Sequence, residues 1–281
     1  MILDLELFLL VLVVGYGFLQ QSARTAWLSS RLNRFAENQA RAEFAERYGQ
    51  VALEPVVAVI PAYNEAGNIG KVLSAIPGEL DGRKVSALVV VDGGDDGTEQ
   101  VVARHGGRYL QVRLNQGGGR AIRLGAQVAA EFGAEYVVTL DADGQHIPTE
   151  MSVLLAPLFN GEADLVQGSR RLGVYEKDSP LRLGGVYLFG WLISLLTKQR
   201  ITDSSNGFRA LRADLLLRLN LQEDQYYSPE LLLKASKKGY KVLERPVTIM
   251  RRNSGQSKKG KNLAYGYHYM KAILKAWLGE A

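Results

Sequence analysis

Two aspartates separated by a single residue are the clearest candidates for chemistry in this chain of 281 residues. Asp141 and Asp143 directly follow the segment 136–140, whose β-branched and apolar residues predict a buried strand. In an extended chain, side chains two positions apart point to the same side. Carboxylate oxygens are hard ligands that suit Mg²⁺ or Mn²⁺, with substrate phosphates completing the coordination shell. Gln145 could add a carbonyl oxygen, so the predicted metal site is Asp141, Asp143 and Gln145.

Similar apolar runs predict the elements that must position this pair. They predict strands at 56–60, 87–91 and 109–114, and helices from an Asn64 cap to Ile76 and from Ala121 to Phe132. Strands that alternate with helices indicate an α/β fold with a doubly wound, mainly parallel sheet. Ligands bind to such sheets beyond the carboxyl ends of the strands. Because Asn64, Asp92 and Asp141 each follow a strand end, we expect their side chains to share one site.

The amino-acid composition indicates a folded protein and excludes several kinds of site. A hydrophobic fraction of 47% and a charged fraction of 22% are those of a folded protein with a sizeable core. The chain has no cysteine, which excludes disulfides, thiolate metal ligands and a cysteine nucleophile. With only three histidines, a histidine-rich zinc site is not expected. Residues 55–281 contain no linker-like stretch, which favours one catalytic domain.

The net charge of +5 is concentrated in the second half of the chain. Between Arg245 and Lys275 there are eight Lys or Arg residues and no Asp or Glu. Such a run attracts phosphate-bearing partners, although a solvated basic face is the alternative. No recognised nucleic-acid motif is present, so a lipid phosphate or phosphorylated substrate is preferred to a nucleic acid as the partner.

The N-terminal segment predicts attachment to a membrane. Residues 7–19 carry no charge, and a helix over residues 1–27 would be long enough to cross a bilayer. A buried core helix is the alternative. Arg24, Arg31 and Arg34 follow the apolar run and no Lys or Arg precedes it, which predicts a cell-membrane protein with a cytoplasmic catalytic domain. Residues 28–54 are predicted to form a polar helical connector with little apolar face.

Five motifs in the same order resemble those of family-2 inverting glycosyltransferases with the GT-A fold. The motifs are Ile60–Glu65, Val90–Thr98, Leu140–His146, Gln167–Arg170 and Asp203–Ala210. The later basic run Arg251–Lys258 is similar to that of the polyprenyl-phosphate (dolichol-phosphate-type) sugar synthases. The resemblance implies transfer of a sugar from a GDP- or UDP-sugar to a polyprenyl phosphate, dependent on Mg²⁺ or Mn²⁺, and contact with membrane lipid.

The resemblance also implies roles for the matching positions. Nucleotide-sugar binding is implied for Pro61, Ala62, Tyr63, Asn64, Glu65, Asp92, Gly93, Asp96, Gly119, Arg120, Asp141 and Ala142. Acceptor phosphate binding is implied for Arg170, Arg182, Arg209, Arg251, Arg252, Ser257 and Lys258. The implied catalytic residues are Asp141, Asp143, Arg170 and Asp203, with Asp203 as a candidate base.

The chain departs from the family pattern at two places. The turn after Asp92 is one residue shorter than usual, and Gly118 occupies a position where relatives usually carry lysine. Arg120 is a candidate for supplying that charge. The run Gly117–Gly119 before a helix could also bind phosphate through backbone N–H groups.

Some alternatives stay open at the level of sequence. The apolar stretch 186–196 and the aromatic tail 265–278 are each either core or helices lying on a bilayer. A family-2 enzyme acting on a saccharide or glycolipid hydroxyl would require Asp203 as a base. A non-catalytic, nucleotide-binding membrane scaffold is the alternative from a different class. The sequence makes no prediction of oligomeric state.

Overall fold

The computed structural model describes residues 25, 27–49, 52–176, 180–251 and 262–279. Most of the predicted membrane-anchor helix at 1–27 lies outside these residues, as do Arg252, Ser257 and Lys258. Within the described ranges, none of the helices is both long and apolar enough to span a bilayer.

The described residues form a mixed sheet with helices on both faces. The strands are β1 (Val56–Ala62), β2 (Glu79–Leu80), β3 (Arg83–Asp92), β4 (Arg108–Val112), β5 (Tyr136–Thr139), β6 (Leu165–Tyr175), β7 (Arg209–Arg212) and β8 (Val242–Ile249). The helices are α1 (residues 27–48), α2 (Ala66–Ala75), α3 (Thr98–Arg104), α4 (Gly118–Glu131), α5 (Met151–Phe159), α6 (Pro180–Thr197), α7 (Ala213–Arg218), α8 (Tyr227–Lys237) and α9 (Asn262–Leu278).

The sheet is parallel in its first half and mixed in its second. Strands β4, β3, β1 and β5 are neighbours in that order and all run parallel. Strand β7 is inserted between β5 and β6 and is antiparallel to both, while β8 pairs parallel with β6. The short β2 pairs antiparallel with β3. The prediction of an α/β fold with a mainly parallel sheet is confirmed, with β7 as the departure.

The four predicted strands are present with shifted ends. Two of the predicted helices begin at other residues than expected. Helix α2 begins at Ala66 with Glu65 as its N-cap, one residue after the predicted Asn64 cap, because Asn64 has a left-handed φ of 51° and the Asp96 carboxylate accepts the Ala66 N–H. Helix α4 begins at Gly118, three residues before the predicted start. The N–H group of Gly119, in its first turn, is held by the Asp224 carbonyl.

Two hydrophobic clusters fill the two faces of the sheet. One joins buried side chains of α2, α3 and α5 to the strands. The other joins α1, α4, α7, α8 and α9 to the opposite face. Alternate side chains of β1 divide between them, with Val57 and Val59 on one face and Ala58 and Ile60 on the other. This period of two is the one a strand buried on both sides requires.

Helix α1 packs on the domain along a narrow stripe. Its buried residues are Ala36, Ala40 and Phe44, spaced at i, i+4 and i+8. The ring of Phe44 contacts Phe132 at the end of α4, with ring centroids 5.3 Å apart. The segment predicted as a connector is therefore helical between residues 27 and 48. Its apolar face, built mostly from alanine, belongs to the core.

A glycine allows α4 to lie close against the sheet. A Cβ atom on Gly125 would come within 2.5 Å of Val59 Cγ1 and 2.8 Å of Val90 Cγ2. Both valines lie inside the core, so neither can move away cheaply.

We therefore expect Gly125→Ala to lower the free energy of unfolding by about 1–3 kcal/mol, because the added methyl group overpacks the core. Urea denaturation measures the change. Gly118→Ala is the matched control, since a Cβ atom there meets nothing within 4 Å. An alanine at residue 125 that is as well tolerated as one at residue 118 would contradict this account of the packing.

Candidate active site

Three polar residues lie together where parallel strands end. Strands β3, β1 and β5 are adjacent, and Asp92, Asn64 and Asp141 stand at or just after their carboxyl ends. The order of strands brings these residues to one edge of the sheet, as predicted. Each then makes a different set of contacts.

Asn64 and Asp96 hold the turn after β3 against the end of β1. The Asn64 side-chain oxygen accepts the Asp95 N–H at 3.2 Å, and a Cβ on Gly94 would collide with that oxygen at 2.0 Å. The Asp96 carboxylate accepts the N–H of Ala66 at 2.9 Å and the N–H of Thr98 at 3.1 Å. It thus caps the first turns of α2 and α3 together.

The remaining residues at the end of β1 differ in exposure. Ala62 is buried, Pro61 is half-buried, and Tyr63 has 38% of its surface exposed. Glu65 is buried, where its carboxylate accepts the Asn68 amide at 2.7 Å. Tyr63 is therefore the side chain of this group that a ligand at the sheet edge can reach most easily.

The carboxylate of Asp92 organises the loop before α4. It accepts the N–H groups of Gln116 at 2.9 Å and Gly117 at 2.8 Å. Burial raises the pKa of Asp92 to about 6, although these two hydrogen bonds and the charge of Arg120 act against the rise. Gly93 has a φ of 78°, and a Cβ there would meet the backbone nitrogen of Asn115 at 2.9 Å.

Gly117, Gly119 and Arg120 are held by contacts with other parts of the protein. Gly119 donates its N–H to the Asp224 carbonyl at 2.7 Å, and a Cβ at residue 119 would lie 2.6 Å from that oxygen. The N–H of Gly117 is engaged by Asp92. Arg120 forms an ion pair with Glu37 of α1 at 2.9 Å and approaches Asp224 at 3.6 Å. Gly117 and Gly119 allow close packing against the Asp224 carbonyl, which their residue type alone does not reveal.

The turn after β5, the metal turn of residues 141–145, carries the predicted metal ligands. Asp143 is buried, and its carboxylate accepts the Gln145 N–H at 3.1 Å. The Asp141 carboxylate lies over Gly207, where a Cβ would be 2.9 Å from Oδ1. Among the described residues, no group of three or more histidine, cysteine or acidic side chains is arranged to hold a metal. Two carboxylates fit Mg²⁺ or Mn²⁺ only as part of a shell that substrate phosphates and water complete.

His146 connects this turn to the loop before β7. Its Nδ1 accepts the N–H of Asp141 at 3.0 Å, so the ring proton resides on Nε2, which donates to Asn206 Oδ1 at 3.1 Å. Its ring stacks on Phe208, with centroids 5.0 Å apart. Burial lowers the pKa of His146, so the neutral ring that this pattern requires is favoured.

Arg170 is held beside the metal turn by a buried carboxylate. Its Nε donates to Asp203 Oδ2 at 2.6 Å, and its backbone N–H donates to the same oxygen at 3.1 Å. Burial opposes the charge of Arg170, but Asp203 and Tyr175 raise the pKa of the guanidinium above its ordinary value. The loop of residues 203–207 links Arg170 to this turn: Asp203 and Ser205 contact Arg170, and a Cβ on Gly207 would lie 2.9 Å from Asp141 Oδ1.

The basic run begins at the metal turn. Gln145 and Met250 exchange two hydrogen bonds, from the Met250 N–H at 2.8 Å and from the Gln145 amide at 2.9 Å. Arg251, the first residue of the run, follows directly, and its side chain and backbone contact Glu176. Arg182 lies in α6, but its side chain is outside the described set.

The profile of Glycosyl transferase family 2 matches residues 57–219, a span that includes β1, the metal turn and Arg170. This chain belongs to that family. The dolichyl-phosphate hexose transferase of Haloferax volcanii is 32% identical over 231 residues, covering 82% of this chain and 97% of the relative. The undecaprenyl-phosphate mannosyltransferase of Micrococcus luteus is 31% identical over 218 residues, covering 72% of this chain and 86% of the relative.

Solved structures confirm the GT-A-like fold of this family-2 glycosyltransferase. The glucosyl-3-phosphoglycerate synthase of Mycobacterium tuberculosis, in complex with Mn²⁺, UDP and phosphoglyceric acid, superposes with a TM-score of 0.64. The match covers 81% of this chain and 80% of that chain at 20% identity. At this identity the likeness concerns the fold, so the chemistry of the site has to be argued from this chain's own residues.

Arg209 of this glycosyltransferase has no surface exposed to an acceptor phosphate. Its side chain is fully buried, and it donates to Gln167 Oε1 at 2.5 Å, to the Asn206 carbonyl at 2.6 Å and to Ser228 Oγ at 2.6 Å. These contacts join β6, the loop before β7 and α8. Its residue type suggested a phosphate ligand, but its burial assigns it to holding the loop.

Two residues that the sequence did not assign to the site, Glu244 and Tyr269, contact the segment of residues 202–204. The Glu244 carboxylate accepts the N–H groups of Thr202 at 2.8 Å and Asp203 at 2.9 Å, and burial raises the pKa of Glu244. Tyr269 on α9 is buried and donates its hydroxyl to Ser204 Oγ at 3.0 Å. Both act across more than 40 residues of chain, and no local spacing signals such contacts.

The raised pKa of Asp92 predicts how stability depends on pH. The folded chain binds this proton below about pH 6, whereas an ordinary aspartate binds it only below 3.8. This group therefore favours folding at low pH, and that contribution is lost as the pH rises through 6.

Because Asn does not titrate, we expect Asp92→Asn to gain about 3 kcal/mol of stability relative to the unmodified chain between about pH 3.5 and pH 7. Denaturant unfolding of both proteins in the same buffers measures the difference. A difference that stays constant across this range would contradict the raised pKa.

Proposed function

We propose that this family-2 glycosyltransferase transfers a sugar from a GDP- or UDP-sugar to a polyprenyl phosphate, with inversion at the anomeric carbon. The observation that carries the proposal is the loop of residues 203–207, in which Asp203 holds the Arg170 cation and Gly207 lies against the Asp141 carboxylate. Two carboxylates suited to a metal-bound diphosphate and a fixed cation suited to a second phosphate then face one reaction centre.

The donor half of the site is assigned to the sheet edge. Asp141 and Asp143 would hold Mg²⁺ or Mn²⁺ together with the donor's phosphate oxygens. The bound ion supplies stabilisation of the negative charge that builds on the leaving diphosphate. Asp92 and Tyr63, at the ends of the neighbouring strands, lie where the nucleoside would bind. Solved structures with the same fold contain UDP together with Mn²⁺ or Mg²⁺.

The acceptor half is assigned to Arg170 and the basic run that begins at Arg251. A phosphate monoester is largely ionised near neutral pH, since its second pKa is about 6. An acceptor of this kind needs orientation and charge compensation more than a general base. Asp203 fits that requirement, because it is fully buried and both its oxygens are engaged in holding Arg170 and Ser205. A hydroxyl acceptor would require a base that can reach it.

The names of the two relatives support the acceptor class. One is a dolichyl-phosphate hexose transferase and the other an undecaprenyl-phosphate mannosyltransferase. Both names combine a polyprenyl phosphate with a hexose. A hexose is therefore the proposed sugar class, and the nucleotide remains either GDP or UDP.

Replacement of either metal-binding carboxylate tests the donor half. Asp141→Asn and Asp143→Asn should each lower turnover by about 10²-fold or more while the fold stays intact, because the leaving diphosphate loses its charge compensation. The assay uses labelled GDP- and UDP-hexoses with polyprenyl phosphate, Mg²⁺ or Mn²⁺, and a parallel series with chelator. Asp81→Asn, in the exposed β2–β3 turn, is the control.

The same assay discriminates between acceptors. Transfer to polyprenyl phosphate and not to free sugars or diacylglycerol is the expected result. Transfer to a hydroxyl acceptor alone would refute the acceptor half. Turnover that survives both the chelator and the asparagine substitutions would refute the metal role.

A membrane location is proposed from exposed apolar faces on α6 and α9. On α6, four exposed residues fall within one face of the helix: Tyr187, Leu188, Trp191 and Leu195. On α9, the exposed residues of one face are Tyr267, Leu274, Trp277 and Leu278. Aromatic and aliphatic side chains grouped this way suit the interface of a bilayer. The arginines that follow the apolar N-terminal run support the cytoplasmic side.

Substitution on the α6 face tests the contact with lipid. The double variant Trp191→Glu/Leu195→Glu should lower the rate about tenfold with a long-chain polyprenyl phosphate embedded in vesicles, because two exposed apolar side chains proposed to enter the bilayer are replaced by charged ones. The rate with a short-chain acceptor phosphate in detergent should not change. Leu217→Glu, an equally exposed leucine on α7, is the control. Equal losses with both acceptors would show that this face serves the fold and not the membrane.

A further inference from the structure

Helix α1 lies outside the family domain but contacts its donor side. The family match begins at Val57, after α1 has ended. Helix α1 therefore precedes the part of the chain that the family match covers.

The contacts of α1 converge on the loop that Asp92 organises. The Gln116 side-chain amide donates to the Asn33 carbonyl of α1 at 3.0 Å. Glu37, one turn further along α1, pairs with Arg120 Nε at 2.9 Å. Residues 116 and 120 bracket the backbone whose N–H groups bind Asp92 and the Asp224 carbonyl. One turn of α1 thus fixes both ends of this loop.

The Glu37–Arg120 ion pair is largely shielded from solvent. Their side chains are only 22% and 16% exposed, so solvent screens their attraction less than it would on an open surface. Arg120 also approaches Asp224, and the charges of both Arg120 and Glu37 act on the carboxylate of Asp92. Removing Glu37 would leave Arg120 free to turn toward Asp92 or Asp224 and would release one end of the loop.

We propose that α1 is a built-in positioning element for the nucleotide half of the donor, and that Glu37 acts through Arg120 to hold the loop of residues 116–120 in its binding conformation. The ligand class that this loop serves is a nucleoside diphosphate. The inference rests on the proposed function, since it assigns Asp92 to the donor nucleoside. Glu37 does not itself touch the substrate in this scheme and is a positioning residue.

A double-mutant cycle on the full-length protein tests the proposal. The variants are Glu37→Gln, Arg120→Gln and the double substitution, and calorimetry with UDP and with GDP in the presence of Mn²⁺ gives the affinity of each. Glu37→Gln should weaken binding of the nucleotide that the protein prefers by about fivefold or more. The double variant should bind no more weakly than Arg120→Gln, because the two residues act as one unit.

The chain offers a matched control on the same two helices. Arg41 of α1 pairs with Glu131 at the far end of α4, at 2.5 Å. Glu131→Gln removes an ion pair between α1 and α4 without touching the 116–120 loop. Its nucleotide affinity should stay within about twofold of the unmodified chain. In the transfer assay, Glu37→Gln should raise KM for the donor with little change in kcat or in KM for the acceptor.

The outcomes separate this inference from the proposed function. An affinity of Glu37→Gln within about twofold of the unmodified chain, or an equal loss for Glu131→Gln, would overturn the inference. It would then follow that α1 only stabilises the domain. If no acceptor supports transfer, the proposed function fails in the assay. The calorimetric cycle still decides the role of Glu37, because it requires no acceptor.

Discussion

Burial of the Asp203 carboxylate is the constraint around which the second half of the molecule is arranged. A carboxylate removed from water has to be compensated by charge and hydrogen bonds, or its ionised form becomes too costly. Here Arg170 supplies the charge, while Ser205 and the Arg170 backbone supply further donors. Glu244 on β8 accepts the Asp203 N–H, and Tyr269 on α9 contacts the adjacent Ser204.

Under the proposed function, one small region would bind two anionic substrates. The proposed donor side carries the carboxylates of Asp141 and Asp143, and the proposed acceptor side carries the Arg170 guanidinium. Opposite charges set close together in a partly desolvated site interact more strongly than they would in water. His146, neutral and fixed in one tautomer, joins the two sides through the backbone of Asp141 and the side chain of Asn206. Its lack of charge keeps the pairing of Arg170 with Asp203 undisturbed.

The sequence predicted the first half of the fold well and the second half poorly. Strands β1, β3 and β5 are continuous apolar runs that end at polar residues, so their order and their shared edge follow from local patterns. The roles of Arg209 and Gly119 do not follow, because an arginine or a glycine run looks the same whether it faces a phosphate or a neighbouring backbone. Burial and the approach of Asp224 decide between these roles, and both are tertiary properties. The packing of helix α1 does not follow either, because a stripe built mostly from Ala36 and Ala40 gives little hydropathy signal.

A substitution at Gly207 is expected to affect the active site more than the fold. Its backbone does not occupy the left-handed region, so many residues could adopt the same conformation without strain. Space is what excludes them, because the Asp141 carboxylate lies where a side chain would begin. A methyl group there would displace the Asp141 carboxylate, a proposed metal ligand, while leaving the strands and the core untouched. In an evolving lineage, drift at this position would yield well-folded proteins that have lost the donor chemistry, although the altered residue carries no functional group of its own.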